Sequence, residues 1–425
     1  MVLGFQILDK SPKIYHFKSE EITSKLVTYA AFLVTLGIVG ISIISVIFPA
    51  LIISTTYEFP NDLDPFETSP WTAPIIISSF SLLTLGFLYK NEKLPPQLHS
   101  GIKFLLNFEI SKKTAIIAGI VILGFYIGFS SSELFLDERN QWSDYGVLES
   151  ALDIWPSTDH WNVYIKEQNT RYVRMILLDV SQDFFQNIKL LPFIASILVI
   201  VFTALITIQI SKKRSAGIVS MIILLQSITF TDFDTIAVYE NFWVLFYLIS
   251  LYVIKKGWFL SPVFYILAVF SKAYMAPFFV MTLFTTYRSK IKTRTKLAIL
   301  FSYVVIIIAA IGIIFAGETL YPQVFEIDTP RFLLGFAATA FQFRFDLFIL
   351  IMLLPVSIGL LFLARNQLKE ADSIMFLIFG TILAGPILIM STAFYEILPY
   401  RLVPLIVFVA IGIGLFFSKR TSQVS

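Results

Sequence analysis

The stretch TAIIAGIVILGFYIGF at residues 114–129, followed by SSSELFLDE at 130–138, decides how this chain is read. No residue from Thr114 to Phe129 is charged, and a helix of about 20 residues crosses a hydrocarbon core of roughly 30 Å. The run closes on two adjacent carboxylates, Asp137 and Glu138, where the longest polar excursion of the chain begins. An acidic pair at the mouth of a membrane helix faces water and lipid headgroups together, so it is placed to act on a substrate anchored in the bilayer.

Outward from that stretch, apolar runs recur near 26–53, 72–89, 190–210, 216–230, 238–254, 297–316, 347–364, 373–392 and 402–418. The 425 residues are 57% hydrophobic and only 14% charged, with a mean hydropathy of +0.80. Soluble domains carry about 25% charged residues. The composition therefore reads as an all-α polytopic membrane protein. Trp71, Trp142, Trp155, Trp161 and Trp258 stand at or beyond the edges of apolar runs, as headgroup-level residues do. The segment Met1–Lys25 is charged and lacks the pattern of a secretory signal.

The stretch 258–287 lies between Lys255-Lys256 and a basic run from Arg288 to Lys296, so one crossing would separate two basic clusters. A hairpin turning at Ser271-Lys272 keeps them together and gives about twelve membrane helices with both termini on one side. On that side fall 23 Lys and Arg residues, against 9 on the other. The positive-inside rule assigns the first side, and both termini, to the cytoplasm. The doublet then faces outward. The long outer segment 132–188 carries two helical periodicities, Val147 to Trp155 and Val173 to Phe184; a third is expected at 332–346, and 90–113 suggests an interfacial helix on the basic side.

Several chemistries are set aside. There is no cysteine, hence no disulfide or thiolate chemistry. Three histidines, His16, His99 and His160, are too few and too scattered for a His-rich zinc site. No Walker A sequence occurs, and nothing points to nucleic acid. Gly412 and Gly414 read as packing positions, and Gly124 and Gly128 have the GxxxG spacing that permits close helix approach.

Candidate site residues follow from position. The Asp137-Glu138 pair either is simply solvated, the plainer reading for carboxylates in an acid-rich outward loop, or supplies a carboxylate that deprotonates an incoming hydroxyl, with like-charge proximity raising one pKa. Lys272, halfway along an apolar stretch, either marks a surface turn or lines a polar cavity suited to an anionic headgroup; a lysine that merely snorkels is the plainer reading. Arg401 in LPYRLVP, residues 398–404, sits at the start of the last helix, either as an interfacial anchor or as a bidentate phosphate ligand. Asp232, Asp234 and Glu240 lie at one outward turn and either join the cleft or follow the charge asymmetry.

Taken together, the apolar helix ending in Leu136-Asp137-Glu138, the long outer loop, Arg171-Tyr172 leading to Leu190-Leu191-Pro192-Phe193, the Phe270-Ser271-Lys272 hairpin and Tyr400-Arg401-Leu402-Val403-Pro404 resemble the GT-C superfamily of integral-membrane glycosyltransferases. The likeness is to its protein-mannosyltransferase and lipid-A aminoarabinose transferase branches, over roughly 114–418. The resemblance implies a polyprenyl-phosphate sugar donor, a lipid, glycan or protein acceptor, and an active site on the outer face of a cell membrane, with a prokaryotic plasma membrane favoured. It makes Asp137 the base, Glu138 its partner or a contact to a divalent metal, and Lys272 and Arg401 phosphate contacts, with Arg171 or Arg174 as further candidates. Residues 1–113 then add a cytoplasmic segment, two extra helices and an interfacial segment, 114–316 form the catalytic core, and 317–425 complete the membrane domain. A transporter or flippase of a lipid-linked solute, or a non-catalytic membrane subunit, are the other classes that fit such a composition.

Overall fold

A computed structural model describes residues 13–56, 64–154, 172–316, 329–366, 368–391 and 397–418. Among these residues there is no strand, and the helices in chain order are α1 (Lys13–Ile47), α2 (Pro49–Thr56), α3 (Thr72–Lys90), α4 (Pro96–Asn107), α5 (Lys112–Ser130), α6 (Tyr145–Ile154), α7 (Tyr172–Phe185), α8 (Leu190–Ser211), α9 (Arg214–Leu224) and α10 (Ile228–Asp232). They continue as α11 (Phe242–Val253), α12 (Leu260–Ser271), α13 (Phe278–Arg288), α14 (Thr293–Ala316), α15 (Thr329–Phe343), α16 (Leu347–Asn366), α17 (Ala371–Ser391) and α18 (Val403–Leu415). The amphipathic segments expected at 147–155, 173–184, 332–346 and 90–113 are represented by α6, α7, α15 and α4.

Among the described residues, six stretches are long and apolar enough to cross a membrane: Ile22–Ile47, Thr72–Lys90, Lys112–Phe135, Leu190–Ser211, Leu347–Asn366 and Ala371–Met390. Side-chain polarity is distributed as lipid demands. Phe80, Phe125, Phe129 and Phe301 are more than two-thirds exposed, while Thr35, Ser42, Thr203 and Thr207 are completely buried. Contiguous exposed apolar surface of this kind belongs against lipid. Many of the buried hydroxyls donate to a carbonyl one turn back, as Thr35 does to Ala31 at 2.7 Å and Thr207 to Thr203 at 2.8 Å, which satisfies them within their own helix. The protein is a helical, membrane-embedded bundle.

Other expected crossings are shorter than the sequence suggested. The run 216–230 is split into α9 and the five-residue α10, because Ser227 breaks the ladder: its hydroxyl accepts the amide of Phe230 as a helix cap and donates to Asp346. The runs 238–254 and 402–418 yield helices of 12 and 13 residues. At 1.5 Å per residue these span about 20 Å or less.

The bundle closes around α18, in which every residue but Ile413 is buried. It packs on α8, α9, α16 and α17, while α11 lies between α8 and α12. A Cβ on Gly412 would meet Val356 at 2.8 Å, and one on Gly414 would meet Thr207 at 2.7 Å, so both glycines are packing positions. Gly124 and Gly128 are different. Nothing lies within 4 Å of where their Cβ atoms would be, so the GxxxG spacing on α5 marks no close helix contact and that expectation is corrected. Helix α1 packs on α15, α16 and α17, which makes it part of the bundle and not an appendage.

The turn at Lys272 is present: α12 ends at Ser271, Lys272 is extended, and a short 3-10 helix Ala273–Met275 leads to α13. Tyr247 touches both Tyr265 on α12 and Phe278 on α13, and the Tyr265 hydroxyl reaches back to the carbonyl of Ala276 at 2.7 Å. The chain therefore doubles back at Lys272.

The basic connections gather at one end of the bundle. Lys213 donates to the carbonyl of Leu106, Lys255 pairs with Glu370 at 2.7 Å, and Arg288 pairs with Asp372 at 2.6 Å while also donating to Thr28 of α1. The acidic doublet, which follows α5 and the 3-10 helix Ser131–Phe135, lies at the opposite end. Helix α8 runs between the two, from Lys189 before its first residue to Lys212 after its last, about 33 Å at 1.5 Å per residue.

Candidate functional site

The doublet separates its two carboxylates. Glu138 is 2% exposed; its Oε1 accepts the amide of Ala237 at 2.8 Å and its Oε2 the amide of Val238 at 3.2 Å. The Lys189 ammonium lies 3.7 Å from Oε1 and is itself held by the carbonyls of Glu133 and Leu136. Burial pushes the Glu138 pKa up, and the two amides and Lys189 oppose it. Glu138 thus clamps the loop that follows α5 to the segment between α10 and α11. Asp137 is exposed, and its Oδ1 accepts the amide of Arg139 at 3.0 Å.

The segment that Glu138 holds, residues 233–241, reaches the second cluster one residue later. Tyr239 stacks on Tyr400 with ring centroids 4.5 Å apart and planes 14° from parallel, and its hydroxyl donates to Asp144 at 3.0 Å. Trp142 meets Tyr239 edge-on at 5.1 Å, while the backbone amide of Trp142 donates to the carbonyl of Glu138. Phe233 completes this aromatic wall against Trp142 and Tyr400.

Two cations converge on Tyr400. The Lys272 ammonium lies 3.9 Å from the centre of its ring, and Arg401 Nε donates to its hydroxyl at 3.3 Å. Tyr400 occupies the 3-10 turn Pro399–Leu402 ahead of α18. Burial alone would push its phenol up, yet Lys272 and Arg401 outweigh burial and hold it at about 8. Two cations held against one side chain make the surroundings of Tyr400 positive, as a phosphate requires.

Arg174 and Glu240 are brought together as a buried pair 3.2 Å apart, with Arg174 also donating to the carbonyl of Val238 at 2.8 Å. Asp234 is buried beside them in sequence but faces elsewhere: Ser130 donates to its Oδ2 at 2.9 Å, and the Tyr126 hydroxyl faces it. Asp232, exposed at the end of α10, makes no ion pair among the described residues. Arg171, Trp161 and His160 lie outside the described residues. Among the described residues no group of three His, Asp or Glu side chains is placed to hold a metal ion.

Burial raises the Asp234 pKa to about 7, with Glu133 and Asp232 adding to the rise and Tyr126 and Ser130 opposing it. Because the unfolded carboxyl loses its proton near 4 and the folded one near 7, stability falls as pH climbs between those values. Asp234→Asn should remove that dependence. Thermal unfolding followed from pH 4.5 to 7.5 is expected to decline for the wild type and to flatten for the variant; parallel curves would contradict the assignment.

Sequence reasoning did not find Tyr400, Tyr239, Asp144, Lys189 or Glu133 as site residues. Only Trp142 carried a signal, as a tryptophan at the edge of an apolar run. Compared with protein-family models, with curated proteins and with solved structures, the chain matches none.

Proposed function

We propose that this chain is a GT-C-type glycosyltransferase that moves a sugar from a polyprenyl-phosphate carrier to an acceptor hydroxyl on the outer face of a cell membrane. The observation that supports this reading best is the single segment 233–241, which contacts Glu138 through two amides and Tyr400 through a stacked ring. It links a carboxylate-bearing loop to a two-cation cluster. The first can accept a proton, and the second can receive a phosphate.

In this mechanism Asp137 takes the proton of the acceptor hydroxyl, whose oxygen attacks the anomeric carbon. The bond from that carbon to the carrier phosphate breaks with its electron pair leaving on the phosphate oxygen, and Lys272 and Arg401 stabilise the charge that develops there. One displacement inverts the anomeric configuration. Asp137 takes the role of base because Glu138 is already committed to Ala237, Val238 and Lys189. In the same reading the short apolar helices complete about twelve passes, both termini are cytoplasmic, and a prokaryotic plasma membrane is the setting; the excess of Lys and Arg at the basic end supports that orientation.

The test measures retention of a polyprenyl phosphate by the purified protein. Lys272→Ala and Arg401→Ala are each expected to weaken it about tenfold, the worth of one charge-assisted hydrogen bond. Retention unchanged in both variants would remove the donor site from this cluster.

A further inference from the structure

At the basic end, remote from the doublet, a cavity of about 790 Å³ opens between the end of α8, the start of α9 and the end of α11. Leu205 and Ile208 give it an apolar wall, and Lys212, Arg214 and Lys256, all exposed, form its rim. The ammonium of Lys213 is turned away to the carbonyl of Leu106 at 2.6 Å. One carboxylate, Glu109, shares the rim and accepts the backbone amide of Arg214 at 3.2 Å, so the first amide of α9 already attracts an anion. Three rim cations against one carboxylate leave the mouth positive.

Two further observations bear on what enters. Lys212 has left-handed backbone, φ 59° and ψ 24°, at the residue capping α8. Glycine is the usual residue there, and a lysine in that conformation costs about 1 kcal/mol. At this strained position the chain carries a long cationic side chain on the cavity rim. Beside the cavity, α4 exposes Leu98, Phe104 and Leu105 and ends at Asn107 on the cavity lining, so the mouth adjoins an exposed apolar helix face of the kind that rests against lipid headgroups.

We propose that this cavity binds a phosphate group carried by an anionic phospholipid, with Lys212, Arg214 and Lys256 around the phosphate and the acyl chains along Leu205 and Ile208. Basic pockets between membrane helices take such headgroups. The shared chemistry, a phosphate, could also come from a soluble anion, and the experiment separates the two.

The full chain in neutral detergent is unfolded thermally with dioleoyl phosphatidylglycerol, dioleoyl phosphatidylcholine or inorganic pyrophosphate. Phosphatidylglycerol is expected to raise the midpoint by roughly 3 °C at about 100 times its dissociation constant. The shift should vanish in the triple variant Lys212→Ala, Arg214→Ala, Lys256→Ala, and shrink in Lys256→Gln alone, whose single exposed change preserves the fold. A control that removes three exposed cations from the same end, Lys290→Ala, Lys292→Ala and Arg294→Ala, should keep it. An equal shift with phosphatidylcholine, or an equal loss in both triple variants, would overturn the site. A shift produced by pyrophosphate and not by phosphatidylglycerol would overturn the lipid and assign a soluble phosphate.

Discussion

Asp137→Asn is expected to lower sugar transfer at least 100-fold while leaving polyprenyl-phosphate retention and thermal stability at wild-type values. The size follows from the role: a positioned general base contributes about 10² to 10⁴ in rate. The selectivity follows from the structure. Asp137 is exposed, and the hydrogen bond it accepts from the Arg139 amide can equally be accepted by an asparagine oxygen. The measurement is single-turnover transfer from a polyprenyl-phosphate sugar, alongside lipid retention. Transfer near wild type would reject Asp137 as base, and with retention lost at Lys272 and Arg401 it would still leave a lipid-phosphate site standing. Glu138→Gln should behave in the opposite manner, losing stability before chemistry.

Arg174→Ala is expected to cost about 3–5 kcal/mol, the second large effect. Removing the guanidinium leaves the Glu240 carboxylate, 1% exposed, without its cation, and breaking one member of a buried pair carries a penalty of this order. It also removes the donor to the Val238 carbonyl, the residue whose amide binds Glu138. The double variant Arg174→Met, Glu240→Leu should recover most of the loss, because apolar replacement of both partners leaves no stranded charge. Thermal unfolding of the three proteins decides it. Equal stability of Arg174→Ala and the wild type would contradict a buried pair.

These two residues show where the sequence stops being readable. From the sequence Glu240 either joins the cleft or follows the charge asymmetry, and Arg174 is a candidate only through the family resemblance; only the tertiary path that brings α7 against the segment before α11 makes them partners. The apolar runs and the turn at Lys272 were legible because they depend on local composition and on charge placement. Helix lengths were not. The apolar run near 216–230 contains Ser227, and Pro399-Tyr400 stand just before the run at 402–418; the helix boundaries there are set by the Ser227 cap, which also holds Asp346, and by a 3-10 turn, neither visible as a change in hydropathy. The spacing of Gly124 and Gly128 was likewise ambiguous, since small residues four apart occur on faces with no neighbour. Tyr400 and Tyr239 had no periodic signature at all. Their meaning lies in a stack across 161 positions of chain.

Helix α18 has a consequence for how the protein is made. Its buried residues fill the space between α8, α9, α16 and α17, and it is the last of these helices to leave the ribosome. During synthesis the earlier helices must therefore wait in the bilayer with their inner faces unmatched. Tyr400 and Arg401 arrive with that same helix, so the two-cation cluster cannot form on a nascent chain. Insertion of α18 among these four helices and creation of the candidate donor site are one event.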